Sequence, residues 1–200
     1  GQFQIGADEE DGHSALERYL TERVGEAGKK IHTGRSRNDQ VIGALRLYTR
    51  EWLLDFREAI TELVGTLLDF ADRYSRTPMA GRTHMQPAMP STVGLWAAAF
   101  AEALIDDVDL VVCAYRRNDR NPLGAAAGYG VALPLDRRMV AAALGFSGVQ
   151  NNVLYVNTSR GALEAQVTEA VGRVCGTLAR LSQDLLIFTL PELGYFRLPE

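Results

Sequence analysis

Cysteine is nearly missing from this sequence: Cys113 and Cys175 are the only two. Both fall in apolar helical patterns, so they are expected as reduced core residues and not as a disulfide or a metal site. Metal ligands at the usual spacing are absent, and Asp106, Asp107 and Asp109 read as a solvated helix face, so no metal is expected. Positive charge is not in excess. A formal net charge of −4 gives no bulk attraction to nucleic acid or to an anionic membrane, and neither partner is expected. No run reads as a leader or a membrane span, which points to a cytoplasmic protein. The glycines at Gly124, Gly128 and Gly130 match neither the P-loop nor the dinucleotide fingerprint, since no Gly-Lys-Ser/Thr follows and no strand precedes. Strand alternation is scarce as well, with only Val153 to Val156 suggesting any.

What is present is helix. With 200 residues and 46% hydrophobic side chains, the chain can bury a substantial core. A first helix is expected from Glu10 to Gly28, with Leu16, Tyr19, Leu20 and Val24 at helical spacing and glycines at its end. The second, from about Asn38 to Tyr74, carries Val41, Leu45, Tyr48, Trp52, Phe56, Ile60, Leu63, Leu67 and Ala71 as its stripe. Charges such as Arg46 and Glu58 are assigned to its other faces. Gly81 to Pro90 reads as a loop. Further helices are expected over Ser91–Arg117, Leu135–Leu144 and Ser159–Leu190, with a turn-rich connection from Asn118 to Pro134. Helical periods this long, without internal proline, define an all-α, long-helix bundle. Residues 1–35 read as the end of an N-terminal region and 36–200 as a central helical-bundle domain truncated at its C-terminal end. The chain opens on Gly1 and stops at Glu200 just after an apolar run, as expected of the middle of a longer protein.

Two stretches carry chemistry. The first is His32-Thr33-Gly34-Arg35-Ser36-Arg37-Asn38-Asp39-Gln40, an unbroken polar or small run leading straight into the longest apolar period. Unpaired polar groups are costly to bury, so such a set needs partners or a ligand. Arg35 and Arg37 offer forked donors for carboxylates or phosphates. Asn38 and Gln40 both donate and accept, and Ser36 or Asn38 is suited to cap the following helix. The second stretch is Arg82-Thr83-His84-Met85-Gln86, where a histidine, the residue type most often used as a general acid or base, sits ahead of a helix. A solvated helix entry and a surface histidine are the plain structural readings of the same residues. His13, beside Glu9-Glu10-Asp11, reads first as a surface histidine.

The run from His32 to Gln40 resembles the signature of the argininosuccinate lyases, within the fumarase/aspartase superfamily. Gly81-Arg82-Thr83-His84-Met85-Gln86-Pro87-Ala88 and Asn121-Pro122-Leu123-Gly124-Ala125-Ala126-Ala127-Gly128 extend the resemblance along nearly the whole chain. It implies a β-elimination that takes argininosuccinate reversibly to arginine and fumarate, a step of arginine biosynthesis needing no cofactor. His84 would take part in proton transfer. Asn38 and Thr83 would hydrogen-bond substrate, Arg35 and Arg37 would line or brace its carboxylate site, and Ser36, Gln86 and His13 would lie among the substrate-binding residues. The resemblance also implies a homotetramer with active sites shared between subunits. Several departures accompany it. Gly12 stands where the family's acidic-then-histidine element has a bulkier residue, and Asn157-Thr158-Ser159-Arg160-Gly161 lacks the acids usual around its arginine. The family's catalytic serine loop would follow Glu200, so these residues are expected to be inactive alone. The alternatives are a delta-crystallin-like structural protein of the same fold, or another fumarate-releasing lyase such as adenylosuccinate lyase.

Overall fold

The computed structural model describes residues 5–6 and 10–198. In chain order its elements are α1 (Gly12–Val24), α2 (Glu26–Lys29), a 3-10 turn at Lys30–His32, α3 (Arg37–Arg73), β1 (Pro78–Thr83), β2 (Gln86–Thr92), α4 (Val93–Asn118), α5 (Arg137–Ala143), α6 (Val153–Thr158) and α7 (Ala162–Phe188). The long-helix fold expected from the sequence is therefore present, with one small antiparallel sheet added. Among the described residues no helix is long and apolar enough to cross a membrane, and no group of three or more His, Cys, Asp or Glu is placed to hold a metal ion. The chain divides into two units, residues 1–48 with 119–161 and residues 49–118 with 162–200.

In the first unit, Asp11 caps α1 by accepting from the Ser14 backbone N–H at 2.9 Å, and Gly25, at φ +66°, ends it. The single helix expected to Gly28 is thus broken in two at that glycine. Ile42, Ala125 and Val156 form a small core with Val153 against it. Val153 begins α6, not a strand. Asn152 accepts from the Tyr155 N–H at 2.9 Å, and this cap starts a helix where β-branched alternation had suggested extension. Arg46, expected on a face away from the apolar stripe, is buried. It donates to the Arg120 carbonyl and to Gln150 Oε1, each at 2.6 Å.

In the second unit, Leu53, Ile60 and Val64 of α3 pack with Ala101, Leu104, Val111 and Ala114 of α4 and with Ala170 and Val174 of α7. The α4 stripe runs Ala97, Ala101, Leu104, Asp107, Val111, Ala114, Asn118, stepping by threes and fours. Asp107 falls on that stripe and is buried, unlike its neighbours Asp106 and Asp109, and it accepts from Thr177 Oγ1 of α7 at 2.6 Å. Cys113 and Cys175 each lie one residue off a buried position and are exposed, so the core placement expected for them is corrected. The same offset exposes Trp52 on α3, where Leu53 faces inward instead.

The stretch expected as a loop at Gly81 to Pro90 is part of a hairpin. β1 and β2 pair from Pro78↔Thr92 to Thr83↔Gln86, with an irregularity between Ala80 and Arg82. A two-stranded ribbon leaves both outer edges free, so Pro87 and Pro90 lose no obligatory ladder bond. Gly81 sits at the irregularity, where a Cβ would come within 2.8 Å of the Met89 carbonyl oxygen.

Candidate active-site residues

The signature run of the first unit folds into a capping box at the start of α3. Ser36 Oγ accepts from the Asn38 N–H at 3.3 Å, while Asp39 Oδ1 reaches back to the Ser36 N–H at 2.8 Å. The second oxygen of Asp39 accepts from the backbone N–H groups of Gly124 and Ala126 at 3.1 and 3.0 Å. Asp39 is fully buried, and it fastens the helix entry to the glycine-rich connection. Gly124 (φ +87°) and Ala126 (φ +52°) are both left-handed, the conformation that turns their N–H groups onto one carboxylate. Arg137 holds the same connection from its carbonyl side, donating to Leu123 O at 2.9 Å and to Gln150 O at 2.9 Å. Burial pulls the Arg137 guanidinium below its ordinary range, and the charge of Asp39 opposes that pull.

The two arginines of the run separate in role. Arg37 is committed, with Nη1 on Asp11 Oδ1 at 2.6 Å and Nη2 on Ser14 Oγ at 2.8 Å. Backbone hydrogen bonding from Ser14 is the main reason the Asp11 carboxyl lies below the ordinary aspartate range. The Arg37 charge adds to it, and partial desolvation works against it. Arg35 is half-buried; its backbone N–H donates to the His32 carbonyl at 3.1 Å, and its guanidinium has no hydrogen-bond or ion-pair partner among the described residues. It lines a cavity of roughly 390 Å³ together with His13, Glu17, Gln40 and a wall of Leu16, Ile31 and Leu47. Within the run, Gln40 Oε1 is buried without a hydrogen-bond partner. Asn38 is exposed, and its Oδ1 accepts from Arg160 Nη1 at 3.2 Å. Thus His13 and Arg35 share one cavity, Ser36 and Arg37 serve the local fold, and Asn38 faces outward beside Arg160. Sequence reasoning gave no role to Asp39, although the Ser-x-x-Asp spacing ahead of an apolar run is a capping signal.

In the second unit, Thr83 and Gln86 close the hairpin as its last paired residues, and His84 and Met85 form its two-residue turn. His84 has φ +50° and Met85 φ +65°. Two consecutive left-handed residues are the signature of the hairpin turn that normally selects Asn-Gly. Positive φ at such side chains costs of order 1–3 kcal/mol per residue and concentrates at functional sites. Arg82 Nη1 steadies the turn by donating to Met85 O at 2.8 Å, and its Nε donates to Tyr195 Oη at 3.3 Å. The result is an exposed imidazole at the tip of a braced hairpin.

The long-helix fold agrees with the lyase class expected from the sequence, and comparisons with known proteins show the family. Residues 1–200 match the model of a family described as "Lyase", and the chain belongs to that family. It is 52% identical over 200 residues to the argininosuccinate lyase of Sorangium cellulosum, covering 100% of this chain and 46% of that protein. The argininosuccinate lyase of Thermotoga neapolitana is 42% identical over the whole chain and is 50% covered. Among solved structures, an EDDS lyase in complex with formate matches with a TM-score of 0.85 and 28% identity, over 92% of this chain and 38% of that one. A fumarate lyase from Mesorhizobium sp. BNC1 matches with a TM-score of 0.75 and 27% identity, over 90% of this chain and 46% of that one. The chain thus spans about half the length of the curated relatives it matches.

Proposed function

We propose that this chain is the central part of an argininosuccinate lyase, which releases fumarate from argininosuccinate by β-elimination and leaves arginine. The observation that carries the reading is the His84 turn: two non-glycine residues held in a left-handed turn present an imidazole where Asn-Gly would fold more easily. In the reaction a base takes the proton from the carbon beside a substrate carboxylate. The electron pair moves onto that carboxylate, the C–N bond then breaks, and an acid protonates the departing guanidinium nitrogen. His84 takes part in the proton transfer, as acceptor or as the acceptor's partner, and Thr83 and Gln86 bind beside it. Asn38 and Arg35 donate to substrate carboxylates and stabilise the charge as it develops. Arg37 and Ser36 act one step back: Arg37 ties α1, which carries His13, to the start of α3. The two sets of residues serve one substrate in a cytoplasmic homotetramer whose active sites draw on several copies.

His84→Asn in the full-length protein is the test, because asparagine tolerates left-handed φ and the hairpin keeps its fold. Fumarate release, followed by ultraviolet absorbance, should fall about 10²–10⁴-fold at unchanged helical content, the usual contribution of an acid–base group. Near-normal turnover would remove His84 from the mechanism. An intact tetramer of the unaltered protein that releases no fumarate from argininosuccinate would overturn the proposed activity.

A further inference from the structure

The contact between Asn38 and Arg160 fixes something that a carboxamide does not fix by itself. A guanidinium has only donors, so Asn38 has to turn its oxygen toward Arg160, and its Nδ2 with two N–H bonds faces away. Among the described residues that Nδ2 has no acceptor, and Arg160 makes no other side-chain hydrogen bond or ion pair. One turn earlier, Asn157 Nδ2 is a buried donor without an acceptor, and the Asn157 carbonyl accepts from the Arg160 N–H at 3.2 Å. Both carboxamide nitrogens, of Asn38 and of Asn157, are thus donors without an acceptor among the described residues. Arg160 is also held in place from the protein interior. The neighbouring Ser159 is buried, its Oγ accepts from Gln150 Nε2 at 3.1 Å, and Gln150 Oε1 accepts from buried Arg46 at 2.6 Å. An exposed arginine with its backbone anchored through three buried polar side chains is a poor candidate for a casual surface contact.

We propose that Arg160 is a positioning residue that locks the Asn38 amide with its donor face toward substrate, making this corner selective for a carboxylate over the isosteric carboxamide. The inference deepens the proposed lyase reading, since it takes Asn38 as a substrate-binding residue. Without Arg160 the Asn38 amide is free to rotate half a turn and offer its oxygen, so it no longer rejects a carboxamide.

The test uses the full-length protein and two inhibitors, fumarate and its monoamide fumaramate, each measured by competition and by calorimetry. Arg160→Ala should lower the preference for fumarate about tenfold or more, the scale of one hydrogen bond to a charged group. Arg160→Lys keeps a donor for Asn38 Oδ1 and should retain most of the preference. Asn38→Ala should lose it, and the double variant should lose no more than Asn38→Ala does, since one residue acts through the other. A merely structural role for Arg160 would lower stability and both affinities together while leaving their ratio unchanged, and that result overturns the proposal. So does a double variant whose loss equals the product of the single losses. Arg160→Met, which keeps the stem and removes every donor, replaces Arg160→Ala if the alanine variant does not fold. If the unaltered protein shows the preference, loses it in Arg160→Ala, yet cleaves no argininosuccinate, the proposed activity fails and this inference holds. If it cleaves argininosuccinate but shows no preference, the reverse is true.

Discussion

One aspartate does much of the organising at the scale of single residues. Asp39 satisfies three backbone N–H groups, at Ser36, Gly124 and Ala126, two of which belong to a connection more than eighty residues away. Removing a buried acceptor leaves its donors desolvated and unpaired, which costs about 1–3 kcal/mol for each group. Asp39→Ala should therefore destabilise the protein by about 3 kcal/mol or more, read from the midpoint of urea unfolding. Asp39→Asn should fall between, because its one oxygen serves either the helix cap or the glycine-rich connection but not both. Equal stability of the alanine variant and the parent would mean that water or backbone movement satisfies those groups. The signature arginines show a different division. Arg37 is spent on Asp11 and Ser14, and Arg35 keeps its guanidinium free of protein partners among the described residues. Residues of one type, two positions apart, thus take a structural and an available role. The spacing of the motif does not distinguish them.

At the scale of elements, the hairpin of β1 and β2 holds the tension between folding and chemistry. Its turn sequence His84-Met85 is a poor choice for two left-handed residues, whereas Asn-Gly is the best. Replacing both, as His84→Asn with Met85→Gly, should raise thermal stability while fumarate release falls as far as in His84→Asn alone. Thermal unfolding and the ultraviolet assay together check this. A double variant no more stable than the parent would show that Arg82 and the strands already absorb the strain of the turn. The long helices illustrate a separate point. Stepping by threes and fours followed the second half of the α3 stripe in part: Ile60 and Ala71 are buried, Leu63 and Leu67 are half-buried, and Val64, which was not on the expected stripe, is buried. In its first half Ile42, Gly43 and Arg46 face inward, and Val41, Leu45 and Tyr48 are exposed. A helix whose apolar residues occupy more than one face offers several stripes of similar period, and only the partner selects among them. Asp107 was missed for the related reason that its position on the α4 stripe is inward while its type is that of the surface.

For the molecule as a whole, the second unit exposes Leu68 on α3, Leu95, Ile105 and Leu110 on α4, and Leu186 on α7. Rows of exposed aliphatic residues along bundle helices mark contact surfaces. If copies of the full-length protein assemble through these faces, Leu68→Glu and Ile105→Glu should reduce the mass measured by sedimentation below that of the unaltered protein, with helical content preserved. An assembly unaffected by both substitutions would place its contacts elsewhere.

Helical class and the spans of the three long helices to within a few residues were legible in the order of residues. These depend on local rules: period, capping types and the polarity of neighbours. The hairpin was not, because three prolines argue against strands, and only the ribbon's two open edges make them harmless. Nor were the exposed cysteines, the inward Arg46 and Asp107, the anchoring role of Asp39 or the meeting of Asn38 with Arg160. Each of those depends on a partner brought from far along the chain, at separations of 85 residues for Asp39 with Gly124 and 122 for Asn38 with Arg160. The sequence determined which groups are available, and tertiary structure decided which are consumed by the fold and which are left without a protein partner. A side chain's hydrogen bonds are finite in number, and only its surroundings in space determine how many are already taken.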